Sequence, residues 1–291
     1  MSIVKSSIAK LVNRNIGLDN LIKLIEYGRG LYRYPNNMIG RNLSQDLEDN
    51  ADILVIAAHP DDEVLGVGTT LHRHRKNGDN VAVTYVTNGA GGKGSTWKFK
   101  TEVTKNIAAI RYKEGVQALS LINIPRKNVF CLGYPDLGMH RYIKDIATDV
   151  HMLIEKLNPQ KIYVHCIEGG HGDHDMTSFI VKSVCSKLGF HNVFEWAEYN
   201  KRQVIGTKEI NFKYSRTTNS KETIINISNE ERSLKKRMLA YHESQGVVEH
   251  YMMGEAIRQA NVSDLEKELF EYSRYPKERL KPVVNKIGSV L

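Results

Sequence analysis

Asp52-Ile53-Leu54-Val55-Ile56-Ala57-Ala58-His59-Pro60-Asp61-Asp62-Glu63 is the stretch that decides how the rest of the chain reads. After its leading acid it is apolar without alternation over the length of a strand, as expected where a strand is covered on both faces in a parallel sheet. It then runs directly into a histidine, a turn-fixing proline and consecutive acids. Working outward, 63–76 has a helical pattern that stops at Asn77-Gly78, and 80–87 (NVAVTYVT) is the next strand. A Gly-rich loop over 88–95 precedes a long helix over 101–121. Strands over 128–132, 161–166 and 192–199 then alternate with helices over 142–157 and 176–188. Repeated β-then-α units with right-handed crossovers predict a Rossmann-like three-layer α/β/α fold with a mostly parallel sheet. Past about residue 200 the alternation gives way to a short strand over 223–227 and helices over 230–242 and 263–272.

Upstream, apolar residues between Ser2 and Arg33 recur at threes and fours among basic ones, which predicts amphipathic helices. A polar stretch from Pro35 to Asn50 ends them. The domains are therefore expected to be a basic amphipathic helical extension over 1–50 and one catalytic domain over 51–291. Lys and Arg total 41 against 33 Asp and Glu, a formal charge of +8. Residues 1–41 hold seven of the basic residues with only Asp19 and Glu26 as acids, so much of the excess belongs to the extension. A basic amphipathic helix can rest on an anionic membrane surface, although such helices more often pack on their own domain. The excess is also a weak hint of an anionic surface or phosphorylated substrate nearby.

Composition excludes several classes. At 41% hydrophobic and 25% charged the chain is neither disordered nor fibrous. It has no run of roughly 18 apolar residues to cross a bilayer and no leader-like start, so a cytoplasmic protein is expected. Cys131, Cys166 and Cys185 show no metal or disulfide spacing and are expected reduced and buried. Basic residues are not interleaved with aromatics, so no nucleic-acid partner is expected, whereas a homo-oligomer stays open.

In doubly wound sheets ligands bind beyond the carboxyl ends of strands. The first strand ends in His59-Pro60-Asp61-Asp62-Glu63 and the fourth leads to Glu168-Gly169-Gly170-His171-Gly172-Asp173-His174-Asp175. One acid there would serve as a helix cap. Two clusters of His and Asp that can meet across the sheet edge suit a metal ion: His plus Asp from one loop and His from the other leave one position open for water, the pattern of catalytic zinc.

AHPDDE at Ala58–Glu63 with HGDH at His171–His174 resembles the PIG-L (LmbE-like) zinc-dependent de-N-acetylase family. Weaker matches follow in order: Thr87-Asn88-Gly89, Arg111 and Glu114, LGYPD at Leu132–Asp136, and Tyr241-His242-Glu243-Ser244-Gln245. The resemblance implies one Zn²⁺ per chain held by His59, Asp62 and His174, with Asp61 as general base. It implies that a protonated His171, oriented by Asp173, stabilises the oxyanion, and that His171 or Asp61 protonates the leaving amine. Arg111 and Asp136 would hold sugar hydroxyls or an anionic aglycone, unless Arg111 pairs with Glu114 and Asp136 caps its loop. The implied reaction removes the N-acetyl group from an N-acetylglucosamine-type small-molecule sugar conjugate. An amidase of the same family acting on a sugar-linked thiol conjugate is the alternative. Two positions depart from the family pattern: Gly169 stands where a tyrosine is common and Gly172 where a proline is.

Gly89-Ala90-Gly91-Gly92-Lys93-Gly94 satisfies GxGxxG, which raises a dinucleotide-binding oxidoreductase. That fingerprint belongs after the first strand, where HPDDE stands. His165-Cys166 could suggest a thiol nucleophile, but a strand cysteine is simpler.

Overall fold

The structure is a computed structural model that describes residues 16–43, 50–91, 101–212 and 221–288. The helical pattern over 2–15 and the Gly92–Gly94 half of the Gly-rich loop lie outside the described residues.

The predicted alternation is present. Helix α1 (Ile16–Gly28) and a small hairpin, β1 (Tyr32–Arg33) with β2 (Asn37–Met38), precede the sheet. Then follow β3 (Ile53–Ala57), α2 (Asp62–Lys76), β4 (Val81–Thr87), α3 (Thr101–Ser120), β5 (Val129–Tyr134), α4 (Ile143–Leu157), β6 (Lys161–His165), α5 (Gly172–Lys187) and β7 (Val193–Ala197). The chain continues with β8 (Thr223–Ile224), α6 (Asn229–Ala240), β9 (Ala256–Gln259), α7 (Leu265–Tyr272) and α8 (Lys277–Gly288). The seven-stranded sheet has the order β5-β4-β3-β6-β7-β9-β8. β5, β4, β3, β6 and β7 are mutually parallel, and β9 and β8 close the far edge antiparallel. β3 is buried at every residue because both of its faces carry core. Leu54 and Ile56 pack toward α4 and α5, while Ile53, Val55 and Ala57 pack toward α2 and α6.

Strand order reverses beside β3, so the loops after β3 and β6 face each other at the carboxyl edge. The hairpin, β9 and α8 are the elements the sequence pattern did not separate. The first is held by its neighbours: Leu31, Tyr32, Met38 and Ile39 are buried in the same core as α4, and Asn42 pairs with Cys131 of β5.

Candidate metal centre

Leaving β3, the chain makes its sharpest turn at Asp61, whose φ of 126° lies in a region side chains with a Cβ rarely adopt. Strain of this kind persists only where neighbours over-determine it. Here the Asp61 amide donates to Glu63 Oε2 at 3.1 Å. Arg111 Nη2, reaching from α3, donates to Asp61 Oδ1 at 3.0 Å and to the Pro60 carbonyl at 2.8 Å. Arg111 Nη1 donates to the Gly89 carbonyl at 2.8 Å. Gly89 has φ +64°, and a Cβ there would meet the guanidinium at 2.7 Å, so the clamp requires glycine. Arg111 is thus buried and committed to Asp61. It pairs with neither Glu114, which accepts from the Ser244 amide and hydroxyl, nor a position open to substrate.

Asp62, first residue of α2, sits among three imidazoles. Its Oδ2 accepts from the His59 amide at 2.7 Å and lies 3.2 Å from His59 Nδ1. Its Oδ1 is 3.3 Å from His174 Nε2, and Oδ2 is 3.3 Å from His165 Nε2. His165 stacks on His174 with ring centroids 4.0 Å apart and accepts from the Ala58 amide through Nε2. That bond leaves its proton on Nδ1, which faces Glu198 Oε2 at 3.3 Å. Trp196 Nε1 donates to the same oxygen. His165 ends β6 and Glu198 follows β7, so the rule that singled out residues 59–63 would have found both had it been applied to every strand end.

His59 Nε2 faces Asp136 Oδ1 and Asp173 Oδ2, both at 3.4 Å. Asp173 was expected to orient His171, but its carboxylate accepts from the Leu137 amide at 2.7 Å and faces His59. Only its backbone amide reaches His171, donating to Nδ1 at 3.2 Å. His171 therefore carries its proton on Nε2, and burial together with the neighbouring His59 and His174 holds its pKa well down. Asp136 accepts from the Gly91 amide as well as facing His59. His242, just past α6, is fully buried with neither ring nitrogen hydrogen-bonded, and burial holds its pKa down to about 3.

The glycines that break the family pattern have steric causes. Gly169 has φ +72°, and a Cβ there would fall 2.6 Å from the Tyr272 carbonyl; one on Gly172 would fall 2.7 Å from the Tyr275 ring. Asp175 braces this loop, accepting from the amides of Glu168, Gly169 and Arg274. The segment joining α7 to α8 thus fills the space a larger loop residue would need.

Burial raises Asp61 to about 6 against the pull of Arg111. Burial also opposes the charge on Asp62, but His174 and His59 outweigh it and hold the carboxylate ionised. Glu198 is pushed to about 8 by burial and by Asp62 beside it.

Three donor groups overlap here: His59/His171/His174, Asp62/His165/His174/Glu198 and His59/Asp136/Asp173. The predicted trio His59, Asp62 and His174 spans the first two. His59 Nε2, His174 Nε2 and Asp173 Oδ1 are buried without a hydrogen bond, an arrangement that needs a further partner. Imidazole nitrogens and carboxylate oxygens in one buried pocket fit a divalent metal. The remaining rivals have no counterpart in this geometry. Burial raises Cys166 far above a reactive thiol, so the thiol nucleophile is set aside, and Gly89 and Gly91 serve Arg111 and Asp136.

Residues 54–185 match the family model described as PIG-L, GlcNAc-PI de-N-acetylase. A search of curated proteins finds no match. Among solved structures, the zinc-inhibited form of teicoplanin deacetylase has a TM-score of 0.55 at 17% identity, covering 71% of this chain and 96% of that one. A deacetylase-teicoplanin complex has a TM-score of 0.55 at 18% identity with the same coverage. The 4-carboxy-2-hydroxymuconate hydratase of Pseudomonas putida KT2440 has a TM-score of 0.50 at 14% identity, covering 70% and 82%. At these identities the likeness is one of fold, and that fold carries more than one reaction.

Proposed function

Because residues 54–185 match the PIG-L family model, we propose that the protein is a zinc-dependent hydrolase that removes the acetyl group from an N-acetylglucosamine-type sugar conjugate. The observation that carries this reading is the company of Asp61: a strained, Arg111-clamped carboxylate beside buried, unbonded His59 and His174 nitrogens. A hydratase on the same fold makes the site, not the fold, the ground for the choice.

His59, Asp62 and His174 would hold the ion. When bound, zinc supplies a Lewis acid that brings a water near neutrality and polarises the amide carbonyl. Asp61 takes the proton of the attacking water as its oxygen adds to the acetamide carbon. His171, with its proton fixed on Nε2, donates to the developing oxyanion. The C–N bond then breaks, the amine takes a proton returned by Asp61, and acetate leaves. Asp173 and Asp136 set a negative field 3.4 Å from His59 Nε2, on the side away from Asp62, which favours a cation there. Cys131, Cys166 and Cys185 are free and buried, and among the described residues no helix is long and apolar enough to cross a membrane.

Purified protein is expected to contain about one zinc per chain. Asp61→Ala is expected to abolish acetate release from N-acetylglucosaminides while leaving metal content unchanged. Retained activity in that variant would overturn the assignment of Asp61. A wild-type protein that neither contains nor responds to zinc would overturn the hydrolase.

A further inference from the structure

A cavity of about 370 Å³ opens beside the metal centre, on the flank of the sheet where the loops after β4 and β5 end. One wall is catalytic: Asp136, which faces His59 at 3.4 Å, together with Gly91, whose amide it binds. The opposite wall comes from outside the family match, from Ile22, Ile25 and Leu31 of α1 and the residues after it. The cavity is therefore one residue away from His59 at one end, through Asp136, and shaped by the chain's own N-terminal segment at the other.

That segment is fixed in place. Glu26 binds Arg141 at 2.5 Å and the Tyr142 hydroxyl at 2.7 Å, and Lys23 binds Asp145. Asn88, in the loop after β4, donates both to the Tyr32 hydroxyl and to the Ile39 carbonyl. Of the charged groups that border the cavity, Glu26 and Arg141 are thus spent on each other, and the Arg29 side chain lies on the same lining. The apolar part of the lining is the surface of Ile22, Ile25, Leu31, Pro135 and Leu137, with Tyr32, Asn88 and Thr104 beside it. The volume lies within the range of small-ligand pockets.

We propose that this cavity is the subsite for the group attached to the amino sugar, and that the N-terminal segment selects a predominantly apolar aglycone such as an alkyl or aryl chain. The proposal rests on the deacetylase reading and deepens it.

The test compares methyl and hexyl N-acetyl-β-D-glucosaminide as substrates of the full zinc-loaded chain, with Ile25→Asp as the variant. Ile25 lies at the rim and is partly exposed, so its replacement is compatible with folding. Wild type is expected to show a KM for the hexyl compound at least about tenfold below that for the methyl compound, as apolar pockets discriminate on this scale. Ile25→Asp should erase most of that difference through KM, leaving kcat and the methyl compound unchanged. Equal KM values in wild type, or an equal loss on both compounds in the variant, would overturn the subsite. Calorimetric binding of the hexyl compound separates the two readings. If neither compound releases acetate yet the hexyl compound binds and Ile25→Asp weakens it, the deacetylase fails and the subsite stands.

Discussion

At Asp61 two demands meet in one residue. A general base must be ionised at the working pH yet basic enough to take a proton, and burial lifts this carboxyl to about 6 while Arg111 pulls it down. The sign of the consequence follows. Acetate release should fall on the acid side as pH drops through about 6, because the protonated form cannot act. Removing the cation in Arg111→Met raises the Asp61 pKa further, so the acid limb should move to higher pH by about one unit and the loss should be greater at pH 6 than at pH 8. Arg111→Lys, which keeps the charge, should move the limb less; a pH–rate profile of the three proteins at constant zinc checks it. Much at this scale was legible beforehand, since His59, Asp61, Asp62, His171 and His174 are all gathered at one edge. The partners of Arg111 and Asp173 were not. A sequence locates which residues reach a strand end, but whether Arg111 turns toward Asp61 or Glu114, and whether Asp173 turns toward His59 or His171, depends on rotamers set by packing across elements.

Helix α2 shows how an element is shaped to serve the site. It is interrupted at Val67, where the backbone leaves helical geometry between Gly66 and Gly68. A Cβ on Gly66 would fall 2.2 Å from Trp196 Nε1, so the break and the glycine admit the indole that binds Glu198 and packs on His165. The backbone groups freed by the interruption are capped by a buried pair from elsewhere in the chain. Glu255 accepts from the Thr69 and Thr70 amides, and Lys235 donates to the Leu65 carbonyl and to Glu255. Lys235→Met should strand the Glu255 charge in the interior and destabilise the fold by about 3–5 kcal/mol in denaturant titration. Gly66→Ala should cost about 1–3 kcal/mol through overpacking and change the fluorescence of Trp196, while Gly68→Ala, which has ordinary contact distances, should cost less. None of this was legible in the helical pattern over 63–76, which ran without a break. The interruption is repaid by residues nearly two hundred positions away, and no local window contains them. The same limit explains β9 and α8, whose hydrophobic signal is weak and whose stability comes from the sheet edge and from α4.

Across the whole molecule, the residues upstream of the sheet meet it at a join centred on Asp149 of α4. Its carboxylate takes a two-point contact from Arg41 at 2.7 and 2.8 Å and accepts from the hydroxyls of Tyr34 and Tyr134. Arg41 also donates to the Leu132 carbonyl in β5. One buried carboxylate therefore ties the residues after α1 to α4 and β5, alongside the Glu26, Lys23 and Asn88 contacts. Truncating that carboxylate leaves the Arg41 charge buried and two phenol hydroxyls unpartnered, so Asp149→Ala should cost about 3–5 kcal/mol. Because α1 reaches the body chiefly through the hairpin and the Glu26 contacts, the loss should show first as hydrogen exchange in residues 31–42, at denaturant concentrations where β3 and β6 remain protected. The metal centre lies on the other side of β4 from this join, so zinc content should be retained. Uniform loss of protection across the sheet in Asp149→Ala would show instead that the segment and the sheet unfold as a single unit.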